Sequence, residues 1–115
     1  MKKALVFAAV AEIVTGLALL TVPSMVGWLL LGQELAGAAA SVARVAGVAL
    51  IGLGVACWPG PPLVGMLIYG ASVALLLAYL GIVERMTGIL LWPAVVLHLM
   101  LSAFLARAAV NRTRG

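Results

Sequence analysis

Three ionisable residues stand where apolar side chains are the rule. Glu12, Arg44 and His98 each interrupt a long hydrophobic stretch. On insertion scales a charge in a hydrocarbon core costs about 2.5–3.5 kcal/mol, so such residues mark candidate sites. Burial favours the protonated form of a carboxylic acid, and a neighbouring guanidinium favours the ionised form. Glu12 and Arg44 therefore read in two ways: a structural ion pair locking two helices, or a protonatable or ligand-binding site. His98 reads as a hydrogen-bonded packing residue, or as a contact for a quinone or a lipid headgroup. Bis-histidine haem ligation is excluded within the chain, which has one histidine.

A second set of polar residues could line a ligand beside these three: Thr15, Tyr69, Ser72, Tyr79 and Ser102. Tyrosine near a span end also serves as an interface belt residue. Cys57 is the one cysteine, so an intrachain disulfide is impossible, and no Cys/His set has zinc spacing. No catalytic set, metal site or cofactor is expected.

The elements that must position these residues follow from composition. Of 115 residues 66 % are hydrophobic and only 9 % charged. Soluble domains carry roughly 45–50 % and about 25 %. A water-soluble chain this small cannot hide so much apolar surface, whereas a lipid bilayer solvates it. A spanning helix needs about 20 mostly apolar residues, and four stretches qualify: residues 4–22, 37–58, 63–83 and 87–108. The expected fold is therefore all-α, a single polytopic domain with a four-helix transmembrane bundle. Residues 23–35, opened by Pro23 and carrying Trp28, Ser24, Gln33 and Glu34, read as a short interfacial helix. The competing reading is a long tilted first span. Lys2 and Lys3 before an apolar run resemble a signal peptide. The run is too long and is interrupted by Glu12, so it reads as a retained span.

Charge sets an orientation. Four spans return both termini to one side, which holds Lys2, Lys3, Arg107, Arg112 and Arg114. The other side holds Arg85. This positive-inside bias predicts cytoplasmic termini in a bacterial inner membrane. The net charge of +4 is explained by this bias, and no nucleic-acid partner is expected. Residues 111–115 read as a frayed tail.

Faces and depths predict a common interior. At 1.5 Å per residue, Glu12 lies roughly 12 Å from the edge on the terminus side. Arg44 lies roughly 10 Å and His98 roughly 16 Å from the other edge. Ala8, Glu12, Thr15 and Gly16 share one side of the first span. Ala40, Arg44, Gly47 and Gly54 share one side of the second, and Gly65, Tyr69, Ser72, Leu76 and Tyr79 one side of the third. Ala94, His98 and Ser102 share one side of the fourth. Small residues allow close helix approach in lipid. Pro93 is expected to kink the fourth span and free the carbonyl of Ile89.

Two family resemblances follow. Residues 43–50 (ARVAGVAL) with Gly52, Gly54, Cys57 and Trp58 resemble the arginine–glycine pattern of small four-helix bacterial inner-membrane proteins, loosely DoxX-like. That likeness implies the fold and no activity. Residues 11–16 (AEIVTG) are similar to the first helix of the small multidrug resistance exporters, which carry a membrane-embedded glutamate. The carry-over reaches only Glu12. The third span lacks those exporters' tryptophan-bearing motif, and Arg44 is an unexpected companion for a cation-binding glutamate. The leading expectation is a non-enzymatic accessory or structural membrane subunit, packing with larger membrane partners, lipid or its own copies. The alternatives are a small dimeric proton-coupled exporter using Glu12, or a quinone- or lipid-binding membrane protein.

Overall fold

A computed structural model describes residues 2–86 and 88–114. It has five helices in chain order: α1 Lys2–Thr21, α2 Pro23–Leu31, α3 Ala38–Cys57, α4 Pro62–Ile82 and α5 Leu91–Arg114. Four of them, all except α2, are long and apolar enough to cross a membrane. The protein is an all-α, multi-pass integral membrane protein.

The helix boundaries have local causes. Val22 leaves helical geometry (φ −134°, ψ 60°) and Pro23 opens α2, so α2 is a separate helix and not an extension of α1. Proline suits this place because the first amides of a helix have no intrahelical acceptor. Gly32 ends α2 at φ +72°. Its N–H bonds the Trp28 carbonyl, and the Gln33 N–H bonds that of Gly27. Glycine tolerates this left-handed cap without a Cβ penalty. Pro61 and Pro62 set the turn from α3 into α4.

The last helix departs from the sequence reading at both ends. It starts at Leu91, not near residue 87, and Thr87 itself lies outside the described residues. Pro93 therefore falls in the first turn, where its missing N–H breaks no bond. The expected kink does not arise, and Ile89 lies before the helix. At the other end the helix runs on through Asn111 to Arg114, and Gly115 of the expected tail lies outside the described residues. Alanine and arginine, both good helix formers, carry it past the apolar segment.

The long helices pack as neighbours in a row. α1 lies against α3, α3 against α4, and α4 against α5. Among the described residues α1 does not touch α4 or α5, nor does α3 touch α5. The Cα envelope is 47 × 36 × 16 Å. The smallest extent is less than half of the next, so the bundle is flattened along the row. Each seam is closed by small residues. A Cβ on Gly16 would sit 2.5 Å from the Gly47 carbonyl oxygen, and one on Gly54 would sit 2.7 Å from that of Ala9. One on Gly52 would sit 2.9 Å from the Gly65 oxygen, and one on Gly70 2.8 Å from Ser102 Oγ. These pairings run antiparallel, so both termini emerge on one side. The core is correspondingly thin: Val73 and Ala74 on α4 are each 1 % exposed.

Candidate functional site

The α1–α3 seam fixes where Glu12 and Arg44 stand. Gly16 opposes Gly47, and Ala9 with Ile13 opposes Gly54. Glu12 therefore lies level with Ile51–Val55, and Arg44 level with Leu19–Pro23. Seven residues separate Arg44 from Ile51, roughly 10 Å along the axis. No ion pair joins Glu12 and Arg44, and Arg44 Nε is buried without a hydrogen-bond partner. The expected pair fails because the glycine register, not the charges, sets how the helices slide together.

The position of Arg44 has another physical basis. It lies level with the C-terminal end of α1, where the helix dipole is negative and a cation is favoured. The Leu19 carbonyl there would take its fourth-residue hydrogen bond from position 23. That residue is Pro23, which has no N–H to give. Arg44 thus brings positive charge to the helix end where the Leu19 carbonyl lacks its usual amide donor.

His98 sits two seams away from Glu12. Since α1 and α5 do not meet, the expected gathering of Glu12, Arg44 and His98 in one interior does not form. With α3 and α4 standing between, Glu12 and Arg44 belong to the α1–α3 seam and His98 to the α4–α5 seam.

The α4–α5 seam does bring candidates together. The His98 Nδ1 lies 2.8 Å from the Ala94 carbonyl oxygen. A carbonyl only accepts, so Nδ1 carries the proton and donates. In the neutral ring this leaves Nε2 as an acceptor. The His98 ring meets Tyr69 edge to face, with centroids 5.9 Å apart and planes at 68°. Both line a groove of about 250 Å³ with Met66, Gly70, Leu101, Phe104 and Leu105. Met66 and Tyr69 also line a hollow of about 360 Å³ on the α3 side, together with Gly52 and Gly65. Beside the groove, Ser102 is buried (8 % exposed) and its Oγ has no hydrogen-bond partner. It fills the notch left by Gly70.

The remaining candidates lie elsewhere. Thr15 is exposed and donates to the Ala11 carbonyl at 2.8 Å, so its hydroxyl is occupied by its own helix. Ser72 is half-buried on the α4 face that meets α3, and Tyr79 is 49 % exposed near the end of α4. Glu12 and Arg44 are both half-buried. Sequence reasoning missed Gly70, Leu101, Phe104 and Leu105. The available signal was the small pair Gly70 and Ser102, which allows α4 and α5 to approach closely.

Chemically the groove offers an apolar channel with a tyrosine hydroxyl and an imidazole acceptor. It holds no nucleophile activated by a base. Compared with known protein families, with curated proteins and with solved structures, the chain has no match.

Proposed function

We propose that this chain is a non-enzymatic accessory subunit of a bacterial inner membrane, which packs laterally against other membrane helices with both termini cytoplasmic. One observation carries the reading. The two edge helices of the row are nearly bare: only 11 % of the apolar window is buried in α1 and likewise in α5, against 28 % in each of α3 and α4. On the free side of α1 stand Phe7 (78 % exposed), Val14 and Leu17. On α5 stand Val96 and Met100. A row with two open edges can be extended by a further helix at either end. Lipid gives little hydrophobic drive for this, so packing and small residues must supply it. Ala4, Ala8, Ala11 and Thr15 form such an exposed small-residue stripe on α1. The uneven charge of the two sides supports the orientation.

The test is photo-crosslinking in native membranes from positions 7 and 14. Crosslinks to other membrane helices are expected, strongest for these edge positions. If the chain extracted in mild detergent is monomeric and neither position yields a protein crosslink, the reading fails.

One observation favours a second reading, the proton-coupled exporter. Glu12 is half-buried and has no ion-pair partner among the described residues. Substrate-driven proton release that survives Glu12→Gln excludes that reading.

A further inference from the structure

The groove beside Tyr69 and His98 is the inner end of a longer stripe on α5. His98, Leu101, Leu105, Ala109 and Arg112 follow one another at spacings of three, four, four and three. Such spacing keeps them on one helix face. The inner three line the groove against α4. Ala109 and Arg112 line a second hollow, of about 340 Å³, with Pro61, Leu63 and Val64 at the start of α4. Both hollows lie along the same seam, and the stripe links them.

The stripe has a sequence of chemistries. Its outer end is a guanidinium, exposed and on the side that also carries Lys2, Lys3 and Arg107. No acidic residue lies on that side, since Glu34 and Glu84 stand in the connections at the opposite side. The middle is aliphatic. At the inner end the Tyr69–His98 ring pair stands between α4 and α5. From Arg112 to His98 is fourteen residues, roughly 21 Å. One leaflet of hydrocarbon is about half of a 30 Å core, so the stripe runs from headgroup level to the bilayer midplane.

We propose that the α4–α5 seam seats one anionic glycerophospholipid from the leaflet on the terminus side. Its phosphate meets Arg112, one acyl chain lies along Ala109, Leu105 and Leu101, and the chain end stops at the Tyr69–His98 pair. Phosphate is the favoured anion because arginine donates to it in a two-pronged fashion. This inference needs only that the chain resides in a bilayer. It can fail while the subunit reading stands, and the reverse also holds.

The test uses purified full-length chain in mild detergent. It is titrated with dioleoylphosphatidylglycerol or dioleoylphosphatidylcholine and read by native mass spectrometry. The expected result is one saturable adduct that prefers phosphatidylglycerol. A diffuse surface field makes every basic side chain worth about five-fold in binding, so it would weaken Lys3→Gln and Arg112→Gln equally. A direct charge-assisted contact makes the loss at Arg112→Gln exceed about ten-fold, well beyond that at Lys3→Gln. Leu101 is 47 % exposed at the groove, so Leu101→Trp fills the channel from its lipid side without altering charge. That variant should lose the adduct while keeping its helical circular dichroism. Equal losses for the two cation variants, no preference between the lipids, or an adduct retained by Leu101→Trp would each overturn the proposal.

Discussion

Gly47→Ala examines the contact on which α1 depends. The added Cβ would lie 2.6 Å from the Gly16 carbonyl oxygen and 3.0 Å from both Leu19 Cβ and Leu20 N. Two of the three obstacles are backbone atoms, which cannot rotate aside, so the helices must separate. Overpacking of this kind costs about 1–3 kcal/mol. Alanine in a helix interior recovers about 0.5–1 kcal/mol relative to glycine. The difference of the mid-range values is a net loss of about 1 kcal/mol. Titration of the folded chain with sodium dodecyl sulfate in mixed micelles, followed by far-ultraviolet circular dichroism, reports it as an earlier midpoint.

The reciprocal variant sharpens the case. A Cβ on Gly16 would sit 2.5 Å from the Gly47 oxygen and 2.7 Å from Ile51 Cγ1. Each substitution opens the same seam, so the double variant should cost less than the two single losses together, by at least about 0.5 kcal/mol. Gly88→Ala is the control, since nothing lies within 4 Å of its added Cβ. It should stay within about 0.5 kcal/mol of the parent. Among the described residues of the long helices, α1 touches only α3, so opening this seam should raise hydrogen exchange in α1 and α2 before it does so in α4 and α5. An unchanged midpoint for Gly47→Ala, or strict additivity of the pair, would refute the register.

Further outcomes follow from other residues. Ser102→Ala should be neutral or stabilising by up to about 1 kcal/mol, because it removes a buried hydroxyl without a partner. Gly70→Ala should destabilise by about 1–2 kcal/mol. Combination with Ser102→Ala should restore most of that loss, since the obstacle 2.8 Å away is the Ser102 Oγ itself; thermal unfolding in detergent measures all three. Cys57 is exposed at the turn on the terminus side. In intact cells a membrane-impermeant maleimide should leave Cys57 unlabelled and should label Glu34→Cys placed in a Cys57→Ala chain. The opposite pattern would invert the proposed orientation.

The spans were legible because hydrophobicity and proline punctuation act locally. Residues 4–22, 37–58 and 63–83 fall within two residues of α1, α3 and α4. Pro23 marked the break before α2 correctly, because a missing amide is a property of the residue itself. The fourth stretch, residues 87–108, differs from α5 at both ends. Apolar content does not register that Ile89 and Leu90 stay outside the helix, or that the helix continues past Ala108. At the site, the helical stripes holding Tyr69, His98 and Ser102 were readable from spacing. Their meeting was not, because it depends on which helix becomes the neighbour of which.

That choice of neighbour turns on small residues, and α3 shows how. Gly47 and Gly54 lie on the face that meets α1, while Gly52 approaches Gly65 and Tyr69 of α4. On a helix, positions 47 and 54 are seven residues apart and share a face, while position 52 lies five from 47 and falls about 140° away. A helix smooth on one face can close a bundle by turning that face inward. A helix smooth on two nearly opposite faces accepts a neighbour on each side, and so stands in the middle of a row. Once α3 holds α1 and α4 apart, no sliding of helices can bring Glu12 to His98. The charged residues are then free to answer local needs: Arg44 the carbonyl end of α1, and Arg112 the phosphate level of the bilayer. Changing Gly52 to leucine should therefore release α4 and α5 as a pair while α1 stays on α3. Crosslinking between paired cysteines across each seam would detect this. If both seams were lost together, the two faces of α3 would not be independent.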